Sequence, residues 1–304
     1  MKSVLFLTLL IGGPVFAQDD LLSKLDGPAT TRPVSATFKS TRLLNGQSVE
    51  TVKAHHLDFR ISHRFDRINK GAEELFGLDY ATVRLGLDYG ISDRFMIGVG
   101  RSSIEKNVDA YLKYKVLQQT QGARRFPFTL TAFGSVAIDT RTPNQGARFR
   151  DFQDRTFYTG QLLIARKFSE RLSLQVAPTV LQPVSSTEAG TGSKVSNETR
   201  GALGVGGRFK LTKRLSVNAE YYAVTPEKNG GADRETFNPL SLGLDIETGG
   251  HVFQLIFTNS FGMIEKQFLT QTGGILGGRW EKGDIHFGFS VTRTFSFKKQ
   301  STQP

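Results

Sequence analysis

Hydrophobic and polar residues alternate one by one along several stretches of the chain. In residues 81–89 the apolar side chains occupy the odd positions, and polar or small side chains occupy the even ones. A period of two places all the apolar groups on one face of a β-strand. The same alternation recurs at residues 57–62, 215–221, 240–246 and 285–297. The pattern therefore predicts a protein built from amphipathic strands.

Two kinds of connection separate these strands. Residues 91–95, 168–172 and 211–215 repeat one short formula (apolar, hydroxyl, charged, Arg, apolar), and residues 248–250 form a fourth tight turn. Longer, polar, Gly-rich stretches lie near residues 66–78, 139–154, 183–198, 225–237 and 261–283. Short turns at one end and long loops at the other are typical of an outer-membrane barrel, with the turns in the periplasm.

The alternation of turns and loops predicts the strand count. Twelve strands place both termini on the turn side. The predicted strands lie at about residues 55–65, 79–90, 94–103, 107–118, 127–138, 155–167, 171–182, 199–210, 214–224, 238–247, 250–260 and 284–297. Ten or fourteen are the neighbouring counts, since residues 36–42 and 273–280 can also pair. A soluble sandwich of two sheets is the alternative, but strands of about ten residues suit a tilted bilayer crossing. The predicted class is all-β, an antiparallel up-and-down transmembrane β-barrel.

The first residues have the three-part layout of a secretory signal peptide. Lys2 precedes an apolar run over residues 4–16, and a cleavage site follows Ala17. An uncleaved anchor helix is the alternative, but this run is too short to span a bilayer. The predicted organisation is a signal peptide at 1–17, a periplasmic segment or lumen plug at 18–54, a barrel at 55–297 and a C-terminal tail at 298–304.

Charge and cysteine content narrow the expected partners. The chain of 304 residues has a net charge of +11 and contains no cysteine. An exported chain rarely meets nucleic acid, so we expect outer-membrane lipid and lipopolysaccharide to be the counter-charges of its basic groups. The lack of cysteine excludes disulfides and thiolate metal sites. We expect no nucleic-acid partner and no cofactor, and the sequence identifies no protein partner.

Several motifs resemble those of a known family. They are Thr37-Phe38-Lys39-Ser40-Thr41-Arg42, Asn45-Gly46-Gln47-Ser48-Val49-Glu50, Leu57-Asp58-Phe59-Arg60-Ile61-Ser62-His63-Arg64-Phe65, Phe76-Gly77-Leu78-Asp79, Gly98-Val99-Gly100-Arg101-Ser102-Ser103 and Gly283-Asp284-Ile285-His286-Phe287-Gly288-Phe289. Together they are similar to a family of membrane-bound β-barrel proteins of unknown function from Bacteroidetes-type bacteria. The resemblance covers nearly all of the mature chain. It implies a barrel in a Gram-negative outer membrane, and supplies neither an activity nor functional residues.

If the apolar faces contact lipid, the intervening side chains point into the barrel. The side chains expected to line the lumen are Asp58, Arg60, Arg64, Arg84, Asp88, Asp109, Lys113, Lys115, Arg208, Glu220, Asp245 and His286. Inward glycines are expected as well, and either widen a pore or leave room for long basic side chains. We expect a narrow pore or a binding lumen for small solutes, with a slight preference for anions.

Two other classes of function remain open. A structural or docking barrel would use its loops or its N-terminal segment to bind a partner. An enzyme is disfavoured, because none of the histidines lies in a Gly-x-Ser-x-Gly or His-Glu-x-x-His motif. His56 and His286 lie on the first and last predicted strands, which are neighbours in a closed barrel, and could pair around a metal ion. Strand-end histidines more often satisfy local hydrogen bonds, so we expect no metal site.

Overall fold

Twelve strands form one closed antiparallel barrel, which confirms the predicted fold. The computed structural model describes residues 30–142, 152, 155–183, 199–226, 236–273 and 277–297. Strands β1 to β12 span His56–Arg67, Ala81–Gly90, Phe95–Ser102, Val108–Leu117, Thr129–Ile138, Thr156–Lys167, Leu172–Pro183, Arg200–Lys210, Leu215–Val224, Leu240–Thr248, His251–Thr258 and His286–Ser296. Every boundary lies within two residues of its predicted position. The expected signal peptide and C-terminal tail lie outside the described residues.

Each strand pairs with its sequence neighbours, and β12 closes the barrel on β1. The closing ladder runs from Gly288 opposite Arg64 to Ser296 opposite His56. A full ring of antiparallel pairs leaves no open sheet edge. A bilayer requires this closure because it offers no hydrogen-bond partners to the backbone.

The exposed face of the barrel is apolar and the interior is polar, the reverse of a soluble sandwich. In β2, Leu85 and Leu87 are 48% and 42% exposed, whereas Arg84, which precedes them, and Asp88, which follows them, are buried. Alternating strands place their apolar groups on the outside wherever lipid replaces water. The alternation that predicted the strands therefore also gives their orientation.

The repeated turn formula has a physical reason. In each of the three turns the hydroxyl at the second position accepts backbone N–H groups two and three residues later. Ser92 accepts from Arg94 and Phe95, and Ser169 and Thr212 make the equivalent bonds in their own turns. In each turn, the hydroxyl accepts hydrogen bonds from backbone amides that do not pair with the neighbouring strand.

The two extra strand candidates do not join the barrel. Residues 36–42 contribute one isolated bridge, Arg42 to Gln47, and Gly277 makes another with Ser260. A separate pairing joins Arg32–Pro33 to Thr120–Gln121 at the turn end of the barrel. The described part of the chain contains no helix of sufficient length and apolar character to cross a membrane.

Candidate functional site

A β-hairpin of residues 37–50, here called the N-terminal hairpin, fills the centre of the barrel. Its two arms are joined by Ser48 N–H to the Thr41 carbonyl at 3.0 Å, and Leu43 N–H to the Gly46 carbonyl at 2.8 Å closes its tip. The chain leaves the lumen at the turn end, where Thr51 and Ala54 hydrogen bond to Asp93 at 2.8 and 2.9 Å. The hairpin therefore enters the barrel from the side of the short turns.

Three basic side chains of β1 and β4 donate hydrogen bonds to this hairpin. Lys113 Nζ donates to the carbonyls of Thr41, Ser48 and Glu50 at 2.5, 3.0 and 3.3 Å. Arg64 Nη2 donates to the Asn45 amide oxygen at 2.6 Å. Arg60 donates to the hydroxyls of Ser40 and Thr41. The cationic wall thus binds oxygen acceptors that the hairpin presents to it.

The hairpin's amides find their acceptors on the opposite strands. Glu220 of β9 accepts from the backbone N–H of Asn45 at 2.7 Å and of Gly46 at 3.2 Å. Gln175 of β7 accepts from Val49 N–H at 2.9 Å and donates to the Gln47 carbonyl at 2.7 Å. Wall side chains form hydrogen bonds with the hairpin on both of its sides, so these bonds fix the position of the hairpin along the barrel axis.

Gly46 at the hairpin tip allows this close approach. A Cβ atom built on Gly46 would overlap the hydroxyl of the buried Tyr222 of β9. Any larger residue at position 46 must therefore displace either the tip or the tyrosine.

A short helix, α1 (Glu265–Thr270), closes the lumen from the loop end. Its Glu265 lies 3.2 Å from Arg42 and accepts from the Gln47 amide at 2.9 Å. Phe268 packs against Tyr222 with ring centroids 5.3 Å apart. The hairpin and the helix meet inside the barrel, so two elements occupy the lumen from opposite ends.

Glu105, in the loop between β3 and β4, holds α1 in this position. Its carboxylate accepts from Lys266 at 2.7 Å and from Gln271 at 2.9 Å. Burial by itself raises the pKa of Glu105, but the Lys266 ammonium and the hydrogen bonds from Lys266 and Asn107 outweigh it and hold this pKa below its usual range. The Glu105 carboxylate that holds α1 is therefore charged at neutral pH.

One side of the interior is uncharged. Strands β5 and β7 contain no charged residue, and β6 has them only at its last two positions. Buried apolar side chains of these strands cluster with Phe38, Leu43 and Val49 of the hairpin and with α1; the wall members are Phe133, Ala137, Phe157, Leu163, Ala165, Ala177 and Leu181. The lumen thus has a charged side on β1, β2 and β4 and an uncharged side on β5 to β7, where this apolar cluster lies among buried Thr, Ser and Gln side chains.

The structure buries eleven of the twelve side chains that the sequence assigns to the lumen, and Asp58 is half-buried. Arg60, Arg64 and Lys113 contact the hairpin as described above. Arg84 makes two hydrogen bonds to Asp109, at 3.0 and 2.5 Å.

The remaining members make separate local contacts. Lys115 pairs with Glu50 at 3.7 Å, and Arg208 pairs with Glu247 at 3.4 Å. Asp88 accepts from Thr41 at 3.0 Å, and Asp245 accepts from Gln254 at 2.9 Å. Asp58 accepts from Thr294 at 2.6 Å. Most of these charges are therefore paired or hydrogen bonded around the hairpin.

The structure does not bring His56 and His286 together as a possible metal pair. Their strands are neighbours, but His56 lies opposite Ser296 and His286 lies opposite Arg67. Antiparallel strands begin at opposite ends, so the two residues are about 30 Å apart at the usual rise per residue. His286 Nδ1 instead lies 2.9 Å from the Phe65 carbonyl.

The inward glycines make room for side chains. A Cβ on Gly86 or Gly100 would overlap the Arg84 guanidinium, and one on Gly206 or Gly243 would overlap a hairpin leucine. Gly86 and Gly100 thus leave room for a long basic side chain, one of the two alternatives that the sequence left open, whereas the sequence did not indicate that Gly206 and Gly243 admit Leu43 and Leu44 of the hairpin. The motifs around Phe38 and Asn45 were the signal that could have identified the hairpin.

Comparison with solved structures finds matches to this chain among porins and channels. The KdgM porin matches 79% of this chain and 99% of its own at 9% identity and a TM-score of 0.46. The COG4313 outer membrane channel from Pseudomonas putida F1 matches 81% and 98% at 12% identity and a TM-score of 0.48. The CymD monoaromatic hydrocarbon channel matches 90% and 95% at 10% identity and a TM-score of 0.37.

No curated protein is significantly similar to this chain in sequence. A family model described as a membrane bound beta barrel domain (DUF5777) matches residues 38–295, which include α1, the first eleven strands and all but one residue each of the hairpin and β12. The chain therefore belongs to the membrane bound beta barrel domain family DUF5777.

Proposed function

We propose that this protein is a gated channel for small solutes in a Gram-negative outer membrane, to which a cleaved signal peptide directs it. In the resting state the N-terminal hairpin closes the lumen from the periplasm. One observation carries the proposal: the hairpin lies inside a complete barrel and is held there by hydrogen bonds to wall side chains. A solute would pass when these contacts break.

The wall does not need the hairpin for its own closure. The ladder between β12 and β1 joins backbone to backbone without hairpin residues. Backbone ladders within the ring satisfy the strands, so removal of the hairpin leaves the wall paired and exposes its polar side chains and the apolar cluster of β5 to β7 to the lumen. The hairpin can therefore leave while the barrel persists.

The contacts that hold the hairpin are exchangeable. Lys113, Arg60, Glu220 and Gln175 all bind polar atoms of the hairpin, and water can replace each of these partners. The hairpin also gives up the apolar packing of Phe38, Leu43 and Val49 when it leaves. Its polar contacts can exchange with water, whereas this apolar packing is the part of the interaction that opposes opening.

The charge of the emptied lumen gives the proposed ion preference. The charged groups that the sequence assigns to the lumen wall are six basic residues (Arg60, Arg64, Arg84, Lys113, Lys115 and Arg208) and five acidic residues (Asp58, Asp88, Asp109, Glu220 and Asp245). The excess is small, so we propose a slight preference for anions.

Gly46→Val tests the gate in the full-length chain. The side chain displaces the hairpin tip from Tyr222 without altering a charged wall residue. In planar bilayers we expect rare openings for the wild type and sustained conductance for Gly46→Val. Gly134→Val is the matched control, because a Cβ on Gly134 meets nothing within 4 Å. If folded Gly46→Val and the wild type both fail to conduct, the gated channel is wrong and a non-conducting docking barrel is favoured.

A further inference from the structure

We infer that the solute class of this channel is amphiphilic organic anions, compounds that combine one carboxylate or phosphate with an apolar body. The inference rests on the proposed gated channel and specifies what the open lumen selects. It is carried by the two unlike sides of the lumen and by the way the N-terminal hairpin satisfies each of them.

The cationic side of the lumen is built to receive oxygen acceptors. Arg60, Arg64 and Lys113 are fully buried and converge on carbonyl, hydroxyl and amide oxygens of the hairpin. Arg60 Nε and Arg64 Nε and Nη1 make no further hydrogen bond within the described part of the chain. When the hairpin leaves, these donors face the lumen, and an anionic group with two or three oxygens is their natural partner.

The apolar cluster on the uncharged side, formed by β5 to β7, can receive apolar surface. Leu163 and Leu181 are fully buried against the hairpin and α1, beside Phe133 and Phe157. In a purely hydrophilic pore these positions would carry polar side chains, as the lumen of a water-filled barrel does. Their exposure on opening costs free energy that an apolar solute recovers.

The hairpin satisfies both sides at once. It presents oxygen acceptors to Lys113, Arg60 and Arg64, while Phe38, Leu43 and Val49 join the apolar cluster of β5 to β7. A solute that replaces the hairpin without loss must carry the same two features. A fully hydroxylated anion satisfies only the first, and an apolar cation only the second.

Three ions distinguish these cases in the full-length Gly46→Val channel. Hexanoate and gluconate have the same charge and six carbons each, and differ in hydroxylation, whereas hexylammonium keeps the apolar chain and reverses the charge. Relative permeabilities come from reversal potentials at a pH where all three are ionised. We expect hexanoate to exceed gluconate by roughly tenfold, the effect of removing about two methylene groups from water. Hexanoate should also exceed hexylammonium.

Wall variants assign each preference to its side. Leu163→Gln, or Leu181→Gln if the first folds poorly, should lower the hexanoate-to-gluconate ratio. Arg64→Gln should lower the hexanoate-to-hexylammonium ratio. A channel that conducts chloride but passes hexanoate and gluconate equally overturns the inference and leaves the gated channel standing. Absence of any conductance instead removes the proposed function itself.

Discussion

The guanidinium of Arg42, on the N-terminal hairpin, lies 3.2 Å from the carboxylate of Glu265, on α1. Both side chains are about 5% exposed, and the two residues come from opposite ends of the barrel. Together with the hydrogen bond from the Gln47 amide to the same carboxylate, this buried ion pair links the periplasmic closure directly to the external one. It makes the position of one closure depend on that of the other.

Arg42→Met should open the channel more than the double variant Arg42→Met/Glu265→Met. The single change leaves Glu265 buried without its cation, at a cost of about 3–5 kcal/mol, whereas the double change removes both charges. Single-channel open probability measures the effect. Equal open probabilities in the single and double variants would show that the pair does not couple the two closures.

Lys113→Met should raise the open probability by about tenfold or more, since three carbonyl acceptors of the hairpin lose a charged donor. The control is Lys115→Met on the same strand and face, because Lys115 makes a single ion pair of 3.7 Å with Glu50. Planar-bilayer recording of both variants is the measurement. A larger effect at Lys115 would contradict the role given to Lys113.

Acid on the external side should release α1. The pKa of Glu105 lies below its ordinary value of about 4.3, so its stabilisation of α1 is complete above that pH and is lost as pH falls through the lowered pKa. Hydrogen exchange of the α1 amides from pH 7 to below about 4 measures this release.

Glu105→Gln is the control for the acid response. The amide cannot ionise, so α1 should exchange faster at neutral pH and lose its acid dependence in this range. If the variant keeps the wild-type pH dependence, Glu105 is not the group that titrates.

Gly100→Val should lower the stability of the barrel and should not open the channel. A side chain at position 100 overlaps the Arg84 guanidinium, which is hydrogen bonded to Asp109 inside the wall. Overpacking of this kind costs about 1–3 kcal/mol, and displacement of a buried charge adds to it. Urea unfolding in lipid vesicles, with Gly134→Val as control, measures the difference. Unchanged stability in Gly100→Val would contradict this packing.

Strand number and orientation could be predicted because they depend on local patterns. The alternation seen in β2 recurs in other strands, and the hydroxyl turn recurs at Ser92, Ser169 and Thr212. Several independent segments therefore support the same strand assignment. Lipid on one side makes the period of two unambiguous. The inward positions of Arg60 and Lys113 followed directly from that period.

The sequence offered a lumen plug in residues 18–54 only as an alternative to a periplasmic segment, because nothing local decided between the two. Residues 37–50 show no long period, and their contacts lie far away in the chain, such as Asn45 with Glu220, 175 residues later. Strand adjacency alone did not separate His56 from His286 either, because neighbouring antiparallel strands place these two residues at opposite ends of the barrel. Long-range pairing carries little local sequence signal.

The tether between the hairpin and the wall is very short. Only residues 51–55 separate the hairpin from β1, and His55 N–H is already bonded to the Gly90 carbonyl at 2.8 Å. A displaced hairpin therefore stays at the periplasmic mouth, where its local concentration reaches the millimolar range expected of a short linker. Reclosure is then a first-order event, independent of protein concentration, and the lifetime of each opening is set by a few residues of backbone.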